Sequence, residues 1–402
     1  MGEVDYVCPD HGEDGNLDVQ YDYTAIADKV QSEGLPDGPG MWRYKALLPI
    51  DYDAPVPPLL VGDTPLYHVD TVAREIGIGD LWVKDDGRNP TASLKDRASA
   101  LLVAKAQAEG REIVTTASTG NAGAALAGLA ASVGQPTVIF VPKTAPPAKI
   151  TQLVVYGANV LLVDGTYDDA FDLCLKATHE FGWYCRNTGY NPYTSEGKKT
   201  VAYEICEGLG GKKGLFKNPD VVMVSVGDGN IISGVHKGLK DLLALGWIEA
   251  MPRIIGVQAE GSNAMYRVWS SGGDPVNMTP IDAQTIADSI SAGLPRDRVK
   301  ALRAVTETNG TYMTVTDEEI LGAIPLLARA TGIFAEPAGS ATYAGLLKAA
   351  RDGLIGAEDS VVVLNTGNGL KDVASAQKAV EKARVIAPRL EEVAAAVKEM
   401  GI

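Results

Sequence analysis

From Leu81 onward the chain alternates short apolar runs with longer segments of helical spacing, and this alternation constrains the fold more than any other feature. The runs at 81–84, 113–116, 137–141, 160–163, 221–226, 254–257 and 361–364 predict strands. Segments 95–110, 122–133, 148–156, 168–181, 317–330 and 339–351, and one that follows the 221–226 run and ends near Leu245, predict helices. Strand followed by helix, repeated, predicts an α/β fold of two open, twisted, mostly parallel sheets with helices on both faces. In such folds a ligand sits at the carboxyl ends of the strands.

Length and charge narrow the partners. A chain of 402 residues is too long for one simple core and divides into about two domains. The sequence suggests an appendage at 1–35, a large unit made of 36–110 and 205–375, a small inserted α/β unit at 111–204, and a solvated helical tail at 376–402. The net charge of −15 disfavours nucleic acid and anionic membranes, leaving a small molecule as the expected ligand. Any anion site therefore has to be built locally, from backbone N–H groups and a few placed cations. Four cysteines without a C-x-x-C pair read as reduced thiols of a cytoplasmic protein. No membrane span and no leader segment is expected. Cys8-Pro9-Asp10-His11 resembles half a zinc knuckle, but no second ligand pair follows, so no metal is expected. The proline-rich stretch 36–58 around Met41-Trp42-Arg43-Tyr44 reads as an arm anchored by its aromatic residues.

Four loops that follow strand candidates have unusual compositions. Asn89-Pro90-Thr91-Ala92-Ser93-Leu94-Lys95 puts a lysine at a helix start, where the positive end of the helix dipole lowers an amine's pKa. A neutral amine is what a Schiff base requires, although a solvated turn lysine would look similar. Thr116-Ala117-Ser118-Thr119-Gly120-Asn121 offers hydroxyls and helix N–H groups to a carboxylate, or plain N-capping. Gly227-Asp228-Gly229-Asn230-Ile231 lets backbone N–H groups approach a phosphate, but lacks the P-loop lysine. Thr366-Gly367-Asn368-Gly369 is a glycine turn directly after a strand candidate.

Taken together, in this order, these loops match one cofactor. The chain resembles fold type II pyridoxal-phosphate enzymes and, within them, the threonine synthase family, from about Trp42 to Asp372. The resemblance rests also on Gly62-Asp63-Thr64-Pro65-Leu66, Asn191-Pro192-Tyr193 with Glu196-Gly197, and Glu336-Pro337. It implies that Lys95 holds pyridoxal 5′-phosphate as a Schiff base and shuttles protons, in a cleft between the two sheets. It implies that Asn121 bonds the cofactor's phenolic oxygen and that Gly227, Asp228, Gly229, Asn230 and Ile231 cradle its phosphate. Thr366 would face the pyridine nitrogen, Ser118, Thr119 and Gly120 the substrate's α-carboxylate, and Thr194 would also contact the substrate. The implied reaction converts O-phosphohomoserine and water to threonine and phosphate, in a homodimer.

Some residues depart from the family pattern. Thr194 stands where an arginine commonly grips the substrate phosphate, and threonine offers no bidentate charged fork. Ile231 and Gly189 replace an asparagine and a serine of the same subsite. Lys149, Lys198, Lys199 or Arg296 could compensate, or could be surface charge. A related enzyme acting on another amino acid, by β-elimination or replacement or by C–C cleavage of an oxo-amino acid, therefore stands beside threonine synthase. A cofactor-binding accessory subunit is a third expectation, opposed by the intact Lys95.

Overall fold

The computed structural model describes residues 6–12, 15–145 and 147–401; part of the expected appendage, residues 1–5, 13 and 14, lies outside them. Ten strands run in chain order: β1 (Leu66–His68), β2 (Asp80–Asp85), β3 (Val114–Ala117), β4 (Thr137–Pro142), β5 (Asn159–Val163), β6 (Tyr184–Cys185), β7 (Val221–Ser225), β8 (Arg253–Ala259), β9 (Thr311–Val315) and β10 (Ser360–Asn365). They form one sheet ordered β1-β2-β10-β7-β8-β9 and a second ordered β5-β4-β3-β6. Every pairing is parallel except β1 with β2.

The apolar runs become strands because both faces of the larger sheet are covered. Side chains alternate along each strand. Val221, Met223, Val361 and Val363 pack on one side, with the helices Asp317–Thr331 and Pro337–Arg351. Val222, Val224, Val362 and Leu364 pack on the other, with Thr200–Gly210 and Asn230–Ala244. In the smaller sheet Val138 and Phe140 meet the helix Tyr167–Phe181, while Ile139 and Val141 face Asn121–Ala131 and Pro147–Val155.

Of the stretch expected to be an arm, residues 40–44 and 47–49 are buried in the core, while 51–53 are exposed. Met41 and Tyr44 are fully buried in a 3-10 turn, Gly40–Leu47, and Met41 packs with the Lys95–Ala108 helix. Strands β1, β6 and β9 were not expected from the sequence. After Asp372 come two helices, Val373–Lys378 and Leu390–Met400. Among the described residues no helix is long and apolar enough to cross a membrane.

Candidate active site

A cavity of about 660 Å3 lies at the carboxyl ends of β3, β4, β6 and β7, between the two sheets. Its wall includes Lys95, the loop from Thr116 to Ala122, Arg186, Lys198 and the loop from Gly227 to Ile231.

Lys95 is the first residue of its helix and half-buried. The loop before it is fastened on both sides. Thr91 donates to Asp96 through its backbone N–H at 2.7 Å and through its hydroxyl. Leu94 N–H donates to the Thr366 carbonyl at 3.0 Å, and Asn368 N–H to the Ala92 carbonyl at 3.0 Å. Two residues beyond Lys95, the buried Arg97 guanidinium donates to Asp86 at 2.6 and 2.9 Å and to Glu204 at 2.7 Å. These contacts fix where the helix starts and so where the amine emerges. Burial lowers the Lys95 amine below its usual range; Glu336 opposes this and Arg186 adds to it. The direction matches the sequence expectation, but the main cause is desolvation rather than the helix end.

After β3, Asn187 Oδ1 accepts from Thr116 Oγ1 at 3.0 Å and from Ala117 N–H at 2.8 Å. Ser118 Oγ accepts from Gly120 N–H at 3.2 Å, a local turn. A Cβ at Gly123 would stand 2.4 Å from the Ser118 carbonyl, so glycine lets the helix begin against this loop. Asn121 Nδ2 donates to the buried Glu336 at 2.8 Å. Burial raises the Glu336 carboxyl, while Lys95 and Asn121 pull it back.

After β7, Gly229 has a φ of 87° and hands the chain to the Asn230–Ala244 helix. The backbone N–H groups of Gly227, Asp228 and Gly229 make no hydrogen bond among the described residues. Asn230 Nδ2 donates to Asp297 at 2.6 Å, and Asn230 Oδ1 accepts from Lys198 Nζ.

Residues 58–367 match the family described as pyridoxal-phosphate dependent enzymes. Threonine synthase of Methanocaldococcus jannaschii is 38% identical over 384 residues, 95% of this chain and 92% of that protein. Threonine synthase of Methanosarcina acetivorans is 41% identical over 373 residues, 92% of this chain and 89% of the relative. This chain belongs to the threonine synthase family of pyridoxal-phosphate enzymes. Solved structures share the fold at lower identity. Diaminopropionate ammonia lyase of Escherichia coli aligns with a TM-score of 0.69 at 20% identity, over 90% of this chain and 94% of that one. Maize serine racemase aligns at 0.65 and 20%, over 78% and 91%.

The residues present fit the family's cofactor. An amine lowered by burial faces the same cavity as a loop of unpaired amides at a helix N-terminus, where a phosphate is favoured. Of the expected site residues, Lys95, Ser118, Thr119, Gly120, Asn121, Gly227, Asp228, Gly229, Asn230 and Ile231 all lie on the cavity wall. Two do not. Thr366 is buried behind the wall, joined to the Lys95 loop through Leu94. Thr194 is fully buried, and its hydroxyl donates to the Asn191 carbonyl at 2.8 Å. Sequence reasoning assigned no role to Glu336, which it had noted within a motif, and missed Arg186. Arg186 directly follows β6, a strand of two residues that carries no pattern of its own.

Proposed function

We propose that this enzyme is a threonine synthase, converting O-phosphohomoserine and water to threonine and phosphate, with Lys95 holding the cofactor and moving protons. The observation that carries this reading is the Lys95 amine, lowered by burial and opening onto the same cavity as the unpaired amides of Gly227–Gly229. The substrate is supported by the relatives named threonine synthase, similar over most of the chain.

In this reading Ser118, Thr119 and Gly120 receive the α-carboxylate. Asn121 orients the cofactor's phenolic oxygen, Gly227 to Ile231 hold its phosphate, and the Thr366 hydroxyl stands toward the pyridine nitrogen. When bound, pyridoxal phosphate supplies an electron sink that acidifies the protons near the substrate's amino carbon. Lys95 Nζ, on a long stem, takes the α-proton and then a β-proton. The bond from Cγ to the ester oxygen breaks and its electron pair leaves with phosphate. Water delivers a hydroxyl to Cβ, Cγ gains a proton, Cα regains the proton it lost, and the remaining proton leaves with phosphate. We take the enzyme to be a cytoplasmic homodimer, with domains divided as the sequence suggests.

A second reading keeps the cofactor and changes the amino acid. It is supported by Thr194, whose hydroxyl is committed to its own helix start.

Incubation with O-phosphohomoserine should release phosphate and threonine in equal amounts. Lys95→Ala should lower that rate by at least roughly 10²–10⁴-fold, because the proton-transfer group is gone, and should leave no cofactor trapped by borohydride. Turnover of another amino acid, with none of O-phosphohomoserine, would select the second reading.

A further inference from the structure

Five cationic side chains are all but completely buried: Lys84, Arg97, Arg186, Lys198 and Lys199, each at 2% exposure or less. Three are neutralised by carboxylates. Lys84 pairs with Glu204, Arg97 with Asp86 and Glu204, and Lys199 with Glu196 and Asp241. Arg186 and Lys198 have no carboxylate within ion-pair distance among the described residues, and both lie on the cavity wall. Burying an unpaired charge is strongly unfavourable. Such a cost persists where a ligand supplies the missing charge.

Both side chains are held in place by neutral groups. Arg186 Nε donates to Ser99 Oγ at 3.3 Å and Nη1 to Thr188 Oγ1 at 2.8 Å, while Nη2 is buried with no partner. Lys198 Nζ donates to Asn230 Oδ1, and the Asn230 amide is fixed by Asp297. Nearby carboxylates are otherwise occupied: on the wall, Asp168 pairs with Arg296 and Asp288 with Lys149. Asp228, also on the wall, has its carboxyl raised by burial; it and Asp297 favour the Lys198 ammonium but neither lies within ion-pair distance of it. Burial lowers the Lys198 ammonium well below its usual range, with Arg186 and Lys95 adding to the effect. Burial lowers Arg186 only to about 10, so it stays charged at neutral pH.

We infer that Arg186 and Lys198 form the subsite for a phosphate dianion carried on the substrate's side chain. This rests on the proposed threonine synthase reading and supplies the charge that Thr194 does not. Arg186 brings a standing charge and Lys198 regains its proton beside the dianion; Arg186 Nη2 and Lys198 Nζ provide donors from different elements, one after β6 and one on the Tyr193–Lys198 helix. The cofactor's phosphate is the other possible source of the same charge, and it has its own donors in the Gly227–Ile231 amides.

The test uses the holoenzyme and the variants Arg186→Met and Lys198→Met, with inorganic phosphate as the probe in calorimetry. A lost charge-assisted hydrogen bond of about 1.5–3 kcal/mol predicts phosphate binding weakened about 10- to 150-fold in each variant. The KM for O-phosphohomoserine should rise in step, while cofactor affinity, read from its absorbance on titration, stays within a few-fold. Unchanged phosphate affinity in both variants overturns the subsite. So does weaker cofactor binding with phosphate affinity intact, which would assign the cations to the cofactor. If either methionine variant does not fold, Arg186→Lys and Lys198→Gln replace them under the same criteria. Should the wild type bind phosphate at these residues but not turn over O-phosphohomoserine, the subsite stands and the substrate reading fails.

Discussion

Lys95 combines two opposed influences, and the balance can be shifted one residue at a time. Burial favours its neutral amine, whereas the Glu336 carboxylate favours the ammonium. Glu336 is itself fixed by Asn121 at 2.8 Å, so the carboxylate cannot swing away to solvent. Removing its charge in Glu336→Gln removes the stabilisation of the ammonium, and the Lys95 pKa falls further. More neutral amine is then present at any given pH. The rate at which apoenzyme captures pyridoxal phosphate should therefore reach its plateau at a lower pH in the variant than in the wild type. A profile that stays in place, or moves to higher pH, would show that Glu336 does not act on Lys95. The pair was hidden in the sequence for a physical reason: Asn121 and Glu336 are 215 residues apart and meet only when the two sheets come together.

At the scale of elements, the Asn230–Ala244 helix carries a buried histidine. Burial lowers His236 from 6.5 to about 4 in the folded protein, although Glu307 opposes the shift. Between those values the unfolded chain binds a proton that the folded chain refuses. His236 thus contributes stability that is complete above about pH 6.5, declines as the pH falls, and is gone below about pH 4. The shift corresponds to at most roughly 3 kcal/mol. His236→Gln should lose less melting temperature than the wild type on going from pH 7 to pH 4.5; equal losses would rule the histidine out as the acid-sensitive group. The helix itself was legible because it follows β7, an uninterrupted apolar run. Most of the other strands found from the sequence are likewise largely buried, whereas β5 was found from its apolar run although Leu161 and Leu162 are exposed. Strands β1, β6 and β9 were not found. β6 has two residues, β1 exposes Tyr67 and His68, and β9 is an edge strand with Thr311 and Thr314 only half-buried. The cost of missing β6 was functional, since a cation at the carboxyl end of an unrecognised strand is not read as part of a site. The glycine and hydroxyl loops were readable because they sit directly after readable strands.

Across the whole molecule, the N-terminal segment fastens the two sheets together and reaches the cavity by a chain of hydrogen bonds. Tyr6 stacks on Tyr190 with ring centroids 5.0 Å apart, and its hydroxyl accepts from the backbone N–H of Cys185 in β6. Further along, Tyr21 donates to Glu196 and Tyr23 to Asp241, each at 2.6 Å, on helices of the larger sheet. Between these anchors Asn16 Nδ2 donates to Asp297 Oδ1 at 3.0 Å. The other oxygen of Asp297 accepts from Asn230, whose amide oxygen accepts from Lys198. The segment therefore holds Asp297, Asp297 holds Asn230, and Asn230 aims the Lys198 ammonium. Asn16→Ala removes two hydrogen bonds at a half-buried position, one to Asp297 and one to the Arg296 carbonyl at 3.0 Å; the bond to Asp297 is worth about 0.5–1.5 kcal/mol, or up to roughly 10-fold in affinity. Its effect should fall on the KM for the phosphorylated substrate, raised by a few-fold with kcat and the melting temperature nearly unchanged. Deleting residues 1–24 removes the tyrosine anchors as well, and should lower the melting temperature in addition to raising KM. If the deletion lowers stability while Asn16→Ala leaves KM untouched, the segment is a clamp on the fold alone and does not position the lysine.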